Sequence, residues 1–205
     1  MTLTYDTLKQ FERVISEYTG APYVVLTDSC THALELCMRY RNPGPVTCSA
    51  YTYLSVPMML YKLGVPFYWD HEPWEYEYRL APSNIWDSAR AFDKGMFRTG
   101  RLQCISFGPT KRLEIGHGGA ILTNKEHEYL ALKRMAYDGR DLDIKPWQNQ
   151  KTFSIGYHYG MRLEDAQLGI QMMANNTLKE KYTQAVEYPD CSKLNIDKSS
   201  KKIIQ

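Results

Sequence analysis

The sequence has no run of about 20 apolar residues, so no bilayer-spanning helix is expected. Residues 1–12 lack the apolar core of a secretory leader. The five cysteines, Cys30, Cys37, Cys48, Cys104 and Cys191, form no C-x-x-C pair and no regular spacing. That removes the usual signs of a zinc ribbon, a dithiol redox centre or a disulfide framework, and no metal site is expected. An odd number of thiols without a leader fits reduced cysteines in a cytoplasmic compartment. Charge of one sign is also lacking. The net charge is +2, without a basic stripe, which argues against nucleic acid as a partner. Lys198, Lys201 and Lys202 read as a solvated tail. There is no internal repeat and no low-complexity segment.

What is present is ordinary for a soluble globular chain: 205 residues, 43% hydrophobic and 23% charged. The length suffices for one domain with a sizeable core. Six of the 16 tyrosines cluster over 51–78, which reads equally as a ligand mouth or interface and as a tyrosine-rich edge of the core. Leu8, Phe11, Val14, Ile15 and Tyr18 recur at helical spacing, so 5–18 is a predicted helix ended by Gly20. Further helices are predicted over 32–40, 52–63, 126–137 and 164–175. Short strands are predicted over 23–26, 46–48, 65–69, 85–87, 103–106 and 120–123. Residues 70–83 read as a loop or hairpin and 141–156 as irregular. Strands alternating with helices point to a layered α/β fold.

Three features carry chemistry. Lys111 follows the short apolar run Cys104-Ile105-Ser106-Phe107 and precedes the glycine-rich Gly116-His117-Gly118-Gly119. Asp87 closes the preceding short run, Asn84-Ile85-Trp86-Asp87. A pyridoxal phosphate site needs a lysine that forms a Schiff base with the aldehyde. It also needs an acid that keeps the ring nitrogen protonated, so that the ring serves as an electron sink. The third feature is the turn Thr27-Asp28-Ser29-Cys30-Thr31 between a strand and a helix, a natural anion site. Taken alone, it reads first as an ordinary N-cap formed by Ser29 or Thr31. Alone, too, Lys111 would be read as a surface lysine.

From Phe11 to Met173 the chain resembles the DegT/DnrJ/EryC1/StrS family of pyridoxal-phosphate-dependent aminotransferases. The opening helix with Gly20, Ser29-Cys30-Thr31 and Ala50-Tyr51-Thr52-Tyr53 follow the family's order of motifs. So do Trp86-Asp87-Ser88-Ala89-Arg90-Ala91, Ser106 to Lys111, Gly116 to Thr123 and Asp138-Gly139-Arg140. His158-Tyr159-Gly160-Met161 and Ala166 to Gly169 complete the series. The resemblance implies the large domain of the aspartate aminotransferase fold type: three layers, with a mostly parallel sheet between helices, reduced in size. It places that domain at 1–175. An extension at 176–205, loosely held, would follow, without the family's C-terminal small domain.

The resemblance also implies roles. Lys111 would carry the cofactor and move protons as general base and acid. Asp87 would pair with the ring nitrogen. Ser29, Cys30, Thr31 and Ser106 would hold the phosphate, and Tyr53 would stack on the ring. Arg90 stands where the family has glutamine, near the phenolic oxygen; it could instead bind a substrate anion or pair with Asp93. His158, in place of asparagine, would reach the phosphate of a neighbouring subunit, so a homodimer with shared active sites is implied. Cys30 stands where the family has glycine, and His117 reads as a solvent-facing loop residue. The implied reaction moves an amino group from glutamate or a similar donor to a keto sugar, nucleotide-linked in the family's manner. Other chemistry on the same cofactor is the alternative: decarboxylation, racemisation or elimination on a small amino acid. A degenerate cofactor-binding partner protein is the third.

Overall fold

A computed structural model describes residues 3–181 and 188–197 of the chain. The helices are α1 (Tyr5–Thr19), α2 (Cys30–Arg41), α3 (Ser55–Leu63), α4 (Glu126–Ala136) and α5 (Leu163–Ala174). The strands are β1 (Tyr23–Thr27), β2 (Val46–Ser49), β3 (Phe67–Asp70), β4 (Tyr78–Arg79), β5 (Ile85–Asp87), β6 (Leu102–Ser106) and β7 (Gly119–Thr123). The lysine-rich end expected to be a solvated tail lies outside the described residues.

Local chemistry explains the boundaries. Thr4 and Thr7 form a reciprocal capping box at the start of α1, and Gly20 closes the helix in the left-handed region at φ 79°. Ser29 caps α2, its hydroxyl accepting from the amide of His32. Helix α3 begins at Ser55, not at residue 52, which puts Pro57 in its first turn, where a missing N–H costs nothing.

The main sheet has the order β1-β7-β6-β5-β4, with β2 and β3 paired beside it. β1–β7, β7–β6 and β5–β4 are antiparallel, whereas β6–β5 and β2–β3 are parallel. The α/β class expected from the sequence holds, but the sheet is mixed where a mostly parallel one was expected. β7 returns between β1 and β6, and β4 reaches β5 through a connection too short for a helical crossover. β1, β5 and β6 nonetheless run the same way. Every residue of β7 and the first four of β6 are buried. Because successive side chains point to opposite faces, both faces of the sheet are covered, as a three-layer fold requires.

The register brings the carboxyl ends of β1, β5 and β6 to one edge. Gly119 lies opposite both Thr27 and Ser106, and Asp87 opposite Cys104. In an open α/β sheet this edge is where ligands bind. The close approach there depends on glycine: a Cβ on Gly119 would sit 2.5 Å from the amide nitrogen of Cys30. β7 can therefore start against the β1–α2 turn only without a side chain.

The expected loosely held extension is anchored where it is described. Cys191 is 1% exposed. Its amide donates to the carbonyl of Ala50 at 2.8 Å and its thiol to the carbonyl of Thr52 at 3.2 Å. His71 Nε2 meets Ser192 Oγ at 3.2 Å.

Candidate active site

A cavity of about 540 Å³ opens at this edge, and the sequence-selected residues line it: Ser29, Cys30, Thr31, Tyr53, Asp87, Arg90, Ser106 and Lys111. They come from the ends of β1, β5 and β6, the start of α2 and the loops beyond. His158 is not among the lining residues. Its side chain is 94% exposed and meets Asp138 through Nδ1 at 3.1 Å.

The α2 end of the cavity is built for an anion. Ser29 Oγ takes the amide of His32 at 3.2 Å, and Ser29 O takes that of Ala33 at 3.0 Å. The amides of Cys30 and Thr31 therefore have no partner within the helix. Thr31 Oγ1 and Ser55 Oγ lie 2.7 Å apart, bringing a second helix start to the same place. The Cys30 thiol turns to the sheet and donates to the carbonyl of Cys104 at 3.5 Å.

Asp87 is 4% exposed, and its Oδ1 accepts from the amide of Ala89 at 3.0 Å. Burial holds its carboxyl above the ordinary value of 3.8, while the Ala89 amide, the Tyr78 hydroxyl and the charge of Lys111 draw it down. Lys111 moves the other way. Burial lowers its pKa below the ordinary 10.5, Asp87 partly restores it, and the nearby Arg90 guanidinium lowers it further. A neutral amine is the nucleophile, so the site raises the reactive fraction near neutrality. Labelling of Lys111 by an amine-reactive reagent in the cofactor-free protein is expected to reach half its plateau rate at a lower pH than for a free lysine. Peptide mapping across a pH series measures this; a midpoint at or above 10.5 would contradict it.

The donor set suits pyridoxal phosphate. Helix-start amides and hydroxyls, a buried acid and a partly desolvated amine line the same cavity. Tyr53 is 64% exposed at the mouth. Asp93, one of the partners considered for Arg90, is engaged by Arg112 and by Lys181 at 2.9 Å. His117 is exposed, as expected, and also lines the cavity.

Several residues in this region went unread in the sequence. Trp74 lines the cavity, its indole N–H donating to Ser49 Oγ at 3.0 Å and to the carbonyl of Tyr51 at 2.8 Å. Tyr188 lines it too, stacked on Trp74 with ring centroids 6.3 Å apart. Tyr78 faces Asp87 from β4. The tyrosine cluster over 51–78 was the signal for Tyr78; nothing local marked Tyr188.

Among the described residues no group of three or more His, Cys, Asp or Glu could hold a metal ion. No helix among them is long and apolar enough to cross a membrane.

The sequence matches the model of the DegT/DnrJ/EryC1/StrS aminotransferase family over residues 1–87 and 85–184. No curated protein matches it. Among solved structures it is similar to Spr1654 of Streptococcus pneumoniae, described as a sugar aminotransferase, in its apo form. The identity is 18% and the TM-score 0.66, over 82% of this chain and 58% of that one. NtdA of Bacillus subtilis, with bound cofactor PMP, gives 19% and 0.68 over 83% and 48%. PseC of Helicobacter pylori, an aminotransferase involved in the biosynthesis of pseudoaminic acid, gives 15% and 0.67 over 83% and 58%. The chain thus spans about half to three-fifths of the length of these proteins, and at these identities the likeness establishes the fold.

Proposed function

This chain belongs to the DegT/DnrJ/EryC1/StrS aminotransferase family, and we propose that it is a pyridoxal-phosphate-dependent aminotransferase using Lys111 as the attachment point. The observation that carries the reading is the convergence of Lys111, buried Asp87 and the α2 start on one cavity. When bound, the cofactor supplies an aldehyde for the amine and a ring that stores an electron pair.

The rest is work for the chain's own residues. The amides of Cys30 and Thr31, with the hydroxyls of Thr31 and Ser106, hold the phosphate at the helix start. Asp87 keeps a proton on the ring nitrogen. Tyr53 covers the ring face at the mouth. Lys111 Nζ would hold the cofactor and, when free, would be the base that accepts the donor's α-proton and the acid that gives a proton up. Arg90 places a positive charge beside Lys111 that favours an oxyanion or a substrate anion.

The amino donor is glutamate or a similar amino acid, and the acceptor a keto sugar, nucleotide-linked. We assign the large, cofactor-binding domain to 1–175 and an extension to 176–205. A homodimer completes the site, with His158 reaching the neighbouring subunit's phosphate. The exposed Trp147 and Phe153, which share a cleft with the His158 partner Asp138, favour such a face. A cytoplasmic location accords with the reduced cysteines, all five of which are free and buried.

The test is the visible spectrum of cofactor-loaded protein before and after glutamate. Glutamate is expected to bleach the aldehyde-derived band into that of the amine form. A band unchanged across a panel of amino donors would contradict the aminotransferase reading.

A further inference from the structure

In the proposed function Asp87 stays ionised in a buried place, and one neighbour is placed opposite it. Tyr78 lies directly opposite Asp87 in the antiparallel β4–β5 pair. Opposed residues in such a pair present their side chains on the same face, about 5 Å apart at Cβ. Tyr78 is 8% exposed, and its hydroxyl, facing Asp87 across the strand pair, draws the carboxyl's pKa down as a donor does. Behind it stands Thr52, 1% exposed, with Oγ1 at 2.7 Å from the Tyr78 oxygen.

The directions of these bonds follow from the acceptor at the end. An ionised carboxylate only accepts, so the Tyr78 O–H donates to Asp87 and the Thr52 O–H donates to Tyr78. The chain is fixed at its far side as well. The Thr52 carbonyl takes the Cys191 thiol at 3.2 Å, and the Trp74 ring packs on Tyr78 with centroids 4.9 Å apart. An apolar phenylalanine would fill the same space, so packing alone does not call for a hydroxyl here. Burial raises the pKa of the Tyr78 phenol well above its ordinary value, so it remains a donor throughout the working range.

We propose that Tyr78 is a positioning residue for the cofactor: with Thr52 behind it, it orients the Asp87 carboxylate and keeps it ionised opposite the ring nitrogen. This rests on the cofactor reading given above. Without the phenolic O–H, the buried carboxylate loses a donor and gains proton affinity. The proton shared between acid and ring then moves toward the acid, and the ring loses pyridinium character.

The experiment loads the full chain with pyridoxal phosphate carrying ¹⁵N in the ring and records the ring-nitrogen resonance. The wild type is expected at the pyridinium position. Tyr78→Phe is expected to move the resonance toward unprotonated pyridine and to slow the glutamate half-reaction roughly 10- to 100-fold, the weight of one hydrogen bond to a charged group. Thr52→Val should shift it the same way by less, and Thr52→Ser should restore the wild-type position. A pyridinium resonance in the wild type that stays put in both Tyr78→Phe and Thr52→Val overturns the proposal alone. A wild type that takes up no cofactor overturns the cofactor reading, and the proposal with it.

Discussion

Replacing Lys111 by alanine is expected to abolish covalent capture of pyridoxal phosphate and to lower the aminotransferase rate by on the order of 10³-fold or more. The size follows from the double role of one amine. In the proposed function it would attach the cofactor and would also be the group placed to carry the proton from the donor carbon. Lys111→Arg separates these roles from charge. Arginine keeps the cation beside Asp87 but is not a nucleophile at neutral pH. Both variants should lose the lysine-bound absorption band, and Arg should retain non-covalent phosphate binding, because the α2 amides and the hydroxyls of Thr31 and Ser106 remain in the cavity. Equilibrium dialysis and the visible spectrum read the two effects. A Lys111→Ala protein that keeps the wild-type band would remove Lys111 from the reaction.

The second large effect concerns Asp87. Asp87→Asn keeps the shape but removes the charge, and the rate is expected to fall by about 10²–10³-fold, as when a preorganised electrostatic contact is lost. Stability should move the other way. The carboxyl is fully enclosed, and burial holds its pKa above 3.8, so the folded state binds its proton more tightly than the unfolded state. As pH falls from neutral through that raised value, the folded state takes up the proton first. The penalty of burying the ionised acid is therefore greatest near neutrality and is relieved in acid. Asn carries no such penalty, so the cofactor-free variant should unfold at the same or a higher temperature than the wild type at pH 7, and the difference should shrink at low pH. A variant both inactive and clearly less stable at pH 7 would mean that Asp87 holds the fold and not the cofactor.

Most of the scaffold was readable in the chain because its signals are local. The apolar spacing from Leu8 to Tyr18 and the stop at Gly20 are properties of one helix, and α1 has those bounds to within a residue. β5 and β6 are short apolar runs ended by the residues that matter, Asp87 and Ser106. The direction of β7 was not local. It is set by the pairing of Gly119 with Thr27 and Ser106, which only the absence of a side chain at Gly119 permits.

The same division holds for the site. Lys111, Asp87 and the Ser29–Thr31 turn were visible as residue types at strand ends. Tyr78 was not, because its meaning depends on a two-residue strand lying opposite Asp87. Tyr188 depends on a return across the mouth fixed by Cys191, far along the chain from Ala50 and Thr52. Such long-range placements leave no periodic trace.

The most direct measurement is borohydride reduction of the wild-type protein with pyridoxal phosphate, followed by peptide mapping in a mass spectrometer. One phosphopyridoxyl group per chain, on Lys111 and absent from the surface lysines, is the expected result. Labelling spread over surface lysines, with Lys111 unmodified, would contradict the assignment of this cavity as a pyridoxal phosphate site.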